Sequence, residues 1–275
     1  MAAQSDAITR AKRCERGVLE FRQTNPLGEH AIVFLHGGGT THAMWKEVAA
    51  RLPAYNNVLV DLPDHGGSRH IRFAGFEDTA CHVRDVLACI EQPAITIAGL
   101  SLGGYIGAAV GAMNLPRVTG LFISGINVDP LPGKWWLMPL SYAMLPFLKF
   151  GPLMRSNARM MGIPEKQMAE FMDGSRQMNR RAFLKITTEA CDYNASEALM
   201  KTRVPVLFVA GAQENKVVTR SISEMPKRAE HVGAYLVPDV GHIWTAQEPD
   251  LCVRILKAFI AGGTLPDALV LSKRV

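Results

Sequence analysis

Short apolar runs recur along the chain and alternate with longer amphipathic segments. Strand-like runs fall at 17–22, 31–35, 57–61, 94–98, 120–124, 204–210 and 234–237. The central ones, Ile32-Val33-Phe34-Leu35, Val58-Leu59-Val60 and Ile95-Thr96-Ile97-Ala98, are too continuously apolar to face water on either side. Strands buried on both faces of a parallel sheet read this way. Helix-length segments lie between them at 43–51, 76–90, 102–113, 219–230 and 249–261. Such alternation predicts βαβ units, and so an α/β fold whose mostly parallel central sheet carries helices on both faces.

The alternation breaks between positions 127 and 202. No strand-like run occurs there, and the segment reads as several helices, some punctuated by proline. It is too long for an ordinary connection. The pattern therefore predicts a core of 1–126 and 203–275 with an inserted helical lid at 127–202. Methionine is dense in the insertion, and methionine suits an adaptable apolar surface. Trp135, Trp136, Met138 and Met161 are the candidates for lining a pocket. The competing reading is that these side chains only pack the lid onto the core.

Composition narrows the function classes. Hydrophobic residues make up 48% of the 275, which builds a core and argues against disorder. The formal net charge is +5, but Lys and Arg are scattered. Their densest cluster, Arg10, Lys12, Arg13 and Arg16, reads as a solvated arm and predicts no nucleic-acid partner. The most apolar stretch, 131–154, is interrupted by Pro132, Pro139, Pro146 and Pro152. It does not offer the roughly 20 unbroken apolar residues that a membrane span needs. The first residues hold no apolar segment of signal-peptide length. Five widely spaced cysteines show no zinc spacing, and free thiols in a reducing compartment account for them. These features predict a soluble, cytoplasmic protein that needs no metal or organic cofactor; a homodimer is compatible with them.

Three loops carry candidate chemistry. Gly99-Leu100-Ser101-Leu102-Gly103 joins a strand to a helix. A sharp turn there strains the serine backbone and pushes its hydroxyl outward, as in a nucleophile elbow. The following helix offers free N–H groups to a developing negative charge. His36-Gly37-Gly38-Gly39 follows an earlier strand. Its glycines let backbone N–H groups approach a substrate oxygen, so one donor here and one after the serine would form an oxyanion hole. A phosphate-cradling loop is the weaker alternative, because neither GxGxxG nor GxxxxGK[ST] is present. Asp239-Val240-Gly241-His242 follows the last clear strand and places a histidine at the sheet edge where the serine lies. His36 reads as a residue that fixes its loop.

Taken in order with Asp61-Leu62-Pro63-Asp64-His65-Gly66-Gly67-Ser68, these motifs resemble the α/β-hydrolase superfamily, nearest its lid-bearing esterase, lipase and carbon–carbon hydrolase branch. The resemblance spans 32–260 apart from the lid, and it implies the α/β-hydrolase fold. It implies Ser101 as nucleophile, His242 as general base, and Gly38 and Leu102 as the oxyanion-hole donors. A glycine of the family's usual pattern is replaced by Asp64, a departure at a surface turn of little consequence for chemistry. The family usually places an aspartate where this chain has Glu214, three residues after Gly211. Glutamate can serve the same role, while Asp129 is the rival, since some members take the acid from the preceding strand.

The implied activity is hydrolysis of a carboxylic ester with a hydrophobic part, through an acyl-enzyme. Carbon–carbon bond hydrolysis or another acyl transfer on the same triad is the alternative. A ligand-binding protein that kept the fold and lost turnover is the reading from a different class.

Overall fold

The computed structural model describes residues 9–10, 18–132 and 151–271. Among them, nine strands form one sheet: β1 (Thr9–Arg10), β2 (Phe21–Gln23), β3 (His30–Leu35), β4 (Asn56–Val60), β5 (Ala94–Leu100), β6 (Val118–Ser124), β7 (Val206–Gly211), β8 (Val232–Val237) and β9 (Val270–Leu271). Their spatial order is β1-β2-β4-β3-β5-β6-β7-β8-β9. The block from β4 to β8 is parallel throughout. Antiparallel strands extend both edges.

The parallel block is apolar because both its faces are covered. Ile32, Phe34, Phe122, Leu207 and Val209 point into one core, with Trp45, Val48 of α1 (Lys46–Ala50) and Trp244. Val33, Leu35, Ile97, Ile123 and Phe208 point into the other. There they meet Phe76 and Val83 of α2 (Phe76–Ala88) and Ile106 of α3 (Leu102–Ala112). Alternate residues of one strand thus enter opposite cores, as the period-two pleat requires.

The chain leaves the sheet after Ser124 and returns at Val206, between strands that are parallel neighbours. Four described helices lie in between: α4 (Gly151–Met160), α5 (Glu165–Gln177), α6 (Arg180–Asp192) and α7 (Ala195–Lys201). Then follow α8 (Lys216–Arg228), α9 (Trp244–Gln247) and α10 (Pro249–Ile260). No helix of the described residues is long and apolar enough to cross a membrane.

Element boundaries differ from the sequence pattern where caps intervene. Helix α8 starts at Lys216 rather than 219, because Asn215 Oδ1 accepts from the N–H groups of Val217 and Val218 at 3.0 and 3.1 Å. The helix expected at 43–51 opens instead as a 3₁₀ turn, His42–Trp45.

Candidate active site

Ser101 sits between β5 and α3 with φ 56° and ψ −117°, a conformation that costs a non-glycine residue about 1–3 kcal/mol. Three backbone hydrogen bonds hold it: its N–H donates to Ser124 O at 2.9 Å, and its carbonyl accepts from the N–H groups of Gly104 and Tyr105 at 2.8 and 3.1 Å. The flanking glycines are steric necessities. A Cβ on Gly99 would lie 2.1 Å from Gly103 O, and one on Gly103 would lie 2.1 Å from Leu35 O. The Ser101 hydroxyl has no hydrogen-bond partner among the described residues. Catalytic hydrogen bonds often form only once substrate is bound.

The glycine loop after β3 is braced by two buried histidines. His36 Nε2 accepts from Leu62 N–H at 3.0 Å, so its Nδ1 carries the proton and donates to Gly37 O at 2.8 Å. His65 Nε2 accepts from Gly39 N–H at 3.1 Å, and its Nδ1 donates to Pro63 O at 2.8 Å. Burial, reinforced by the neighbouring His65, lowers the His36 pKa to about 3. Burial likewise lowers that of His65. Both rings therefore stay neutral and serve as spacers. The His36 carbonyl accepts from Gly103 N–H at 3.0 Å, which ties this loop to the first turn of α3. Among the described residues, neither Gly38 N–H nor Leu102 N–H has an acceptor. Both residues line the same cavity as Ser101. Two free N–H donors beside an unpartnered, half-buried hydroxyl could stabilise an oxyanion.

His242 follows β8, and Glu214 follows β7. His242 Nδ1 lies 2.8 Å from Glu214 Oε2, and the Glu214 side chain is 1% exposed. With Nδ1–H donating to the carboxylate, Nε2 is left as the basic nitrogen. The loop carrying His242 is anchored where Ile243 N–H donates to Met161 O at 3.1 Å. The other candidate acid is engaged elsewhere. Asp129 binds Arg228 through both carboxylate oxygens at 2.5 and 2.8 Å, and this charge-assisted pairing holds its carboxyl below the usual range. The structure thus brings Glu214, and not Asp129, to His242.

Ser101 opens onto a cavity of about 320 Å³, within the range of small-molecule sites. Its floor is Gly38, Gly39, Leu102 and Tyr105, and the helices between β6 and β7 provide its roof. Met154, Met161, Met178, Phe183 and Ile186 supply apolar surface there. Met154 also packs into one of the two cores, where Met168 and Met172 lie without reaching the cavity. Met161 is thus at the cavity, whereas Trp135, Trp136 and Met138 lie outside the described residues. Among the described residues, no group of three His, Cys, Asp or Glu side chains converges to hold a metal.

Sequence reasoning missed two contributors. Asp64 does more than turn a surface loop. Held at φ 62°, it accepts from Phe73 N–H at 2.8 Å and from Asn179 Nδ2 at 2.6 Å, so it ties the core to a cavity residue. Asn179 also caps α6 through Ala182 N–H at 2.7 Å. An asparagine just before a helix-length run was the available signal. Tyr105 lines the cavity and donates to Asn127 Oδ1 at 2.5 Å, a pairing with no local sequence signature. Burial raises its pKa, so the phenol remains protonated.

Comparisons with known proteins bear on the fold and the family. The chain is 27% identical over 259 residues to an AB hydrolase superfamily protein of Gibberella zeae, covering 90% of this chain and 85% of that one. It is 32% identical over 98 residues to 2-succinyl-6-hydroxy-2,4-cyclohexadiene-1-carboxylate synthase of Citrobacter koseri. That match spans only 36% of this chain and 39% of the synthase. The fold resembles that of the enol-lactonase from Burkholderia xenovorans LB400, with a TM-score of 0.72 at 17% identity over 88% of this chain and 96% of that one. The profile of the alpha/beta hydrolase family matches residues 32–255, and the chain belongs to that family.

Proposed function

We propose that the protein is a serine hydrolase that cleaves carboxylic esters with a hydrophobic part. The observation that carries this reading is the Glu214–His242 hydrogen bond of 2.8 Å, on loops that leave the same ends of the parallel strands as Ser101. Ser101 Oγ attacks the ester carbonyl and gives its proton to His242 Nε2. Glu214 stabilises the imidazolium that results. The N–H groups of Gly38 and Leu102 receive the oxyanion, and losing one such donor typically costs about 10²–10³ in rate. As the tetrahedral species collapses, His242 returns the proton to the leaving alcohol. Water, deprotonated by His242, then attacks the acyl-Ser101, and His242 returns that proton to Ser101 Oγ as the acid leaves.

Helices α4 to α6 act as the lid of this reading, within an insertion at 127–202 on a core of 1–126 and 203–275, while α7 packs Ala195, Ala198 and Leu199 into the core beside α3. The apolar residues of that lid favour a hydrophobic acyl or alcohol group. The test is turnover of 4-nitrophenyl esters of graded acyl length. Hydrolysis that rises from acetate toward hexanoate and vanishes in Ser101→Ala is expected. A purified, folded protein that binds these esters without turnover would instead be a binding protein.

A further inference from the structure

The polar groups around the cavity are not equivalent. Tyr105 donates to Asn127, Asn157 to Met161 Sδ at 3.8 Å, and Ser175 to Gly39 O at 3.2 Å. Thr187 donates to Phe183 O at 2.8 Å, and Asn179 is held by Asp64 and Ala182. Two polar side chains of the lining have no partner among the described residues: Ser101 and Arg180. Arg180 is the cavity's one Lys, Arg, Asp or Glu among the described lining residues, and it is exposed, which puts it at the mouth. Asp64, the acid that contacts the neighbouring Asn179, is already taken up by that amide and by Phe73 N–H. A guanidinium presents a fork of donors matched to a carboxylate. Beyond it the wall is apolar, formed by Phe183, Ile186 and Met178.

We infer that the preferred ester carries a carboxylate on its hydrophobic part, which pairs with Arg180 at the cavity mouth while the scissile carbonyl reaches Ser101. The inference rests on the ester-cleavage reading above. An ion pair at an accessible mouth is worth about a two- to fivefold gain. The experiment compares the mono-4-nitrophenyl ester of adipic acid with 4-nitrophenyl hexanoate, which share a six-carbon acyl chain and differ in the terminal carboxylate. The expected kcat/KM ratio favours the adipate ester about two- to fivefold. It should fall toward one in Arg180→Gln, recover substantially in Arg180→Lys, and shrink at high salt as screening sets in. A ratio near one in the wild type, or a preference that survives Arg180→Gln, overturns the inference. If neither ester is turned over, the ester-cleavage reading has failed. Calorimetric binding of both esters to Ser101→Ala then decides the carboxylate question separately, with equal affinities counting against it.

Discussion

Replacing Glu214 by glutamine keeps the shape of the side chain and removes its charge. The amide oxygen can still accept from His242 Nδ1–H; where the amide NH2 faces Nδ1 instead, it fixes the wrong tautomer and deepens the loss. What is lost is stabilisation of the imidazolium that forms when Ser101 gives up its proton. A hydrogen bond of 2.8 Å puts the two charge centres about 4 Å apart, and at an effective dielectric near 20 that attraction is about 4 kcal/mol. Solvent screens it weakly, because the Glu214 side chain is 1% exposed and that of His242 is 23% exposed. At about 1.36 kcal/mol per decade, the expected loss is about 10³ in kcat, with KM changed far less. The assay is steady-state hydrolysis of 4-nitrophenyl butyrate, with circular dichroism to establish that the variant folds. Asp129→Asn is the control, and it should retain kcat within about twofold, because that carboxylate binds Arg228 at the surface. A folded Glu214→Gln protein with less than tenfold loss would refute the reasoning. So would an Asp129→Asn protein with the larger defect.

Two further outcomes follow from packing and burial. Gly125 has φ 66°, and a Cβ there would lie 2.9 Å from His242 Cε1 and 3.3 Å from Glu214 Oε1. Gly125→Ala should therefore displace the imidazole and lower kcat at least about tenfold, beyond its backbone cost of about 1–3 kcal/mol in stability; unchanged kcat would mean that the ring does not depend on that space. His36 is neutral when folded, with its pKa lowered by burial to about 3, whereas the unfolded chain titrates it near 6.5. The unfolded state thus binds the extra proton between those values, so this stabilising contribution is complete above pH 6.5 and declines as pH falls, by about 1.4 kcal/mol per unit. Urea unfolding between pH 7 and 4.5 should show that decline, with a shallower slope in His36→Gln; identical slopes would contradict it.

The parallel block was legible because its strands are buried on both faces, which forces continuous apolar runs such as Ile32-Val33-Phe34-Leu35. The edge strand β2 was legible only as an approximate run. It spans three residues, with Arg22 half-exposed, so no burial pattern constrains its ends. The loops that carry Ser101 and His242 were legible because turns between strands and helices impose strict residue types, above all glycines packed against backbone such as Gly99, Gly103 and Gly211, whereas Glu214 stood out only by its place three residues after Gly211, where the resemblance implies an aspartate. The cavity roof was not. Whether a methionine of the insertion packs inward or lines a cavity depends on how the helices rotate. Met168 of α5 packs into a core without reaching the cavity, whereas Met154 of α4 does both, and both occupy equally helical sequence. The Asp64–Asn179 and Tyr105–Asn127 bonds join residues 115 and 22 positions apart, and no local pattern encodes such pairs.

The central claim is that Ser101 is the nucleophile, and covalent capture tests it most directly. Incubation with a fluorophosphonate should add one probe mass per chain, and peptide mapping should place it on Ser101. Labelling should be lost in Ser101→Ala and slowed by about 10³ in Glu214→Gln, in proportion to its kcat. Stoichiometric labelling that persists in Ser101→Ala, or that maps to another residue, would contradict the account.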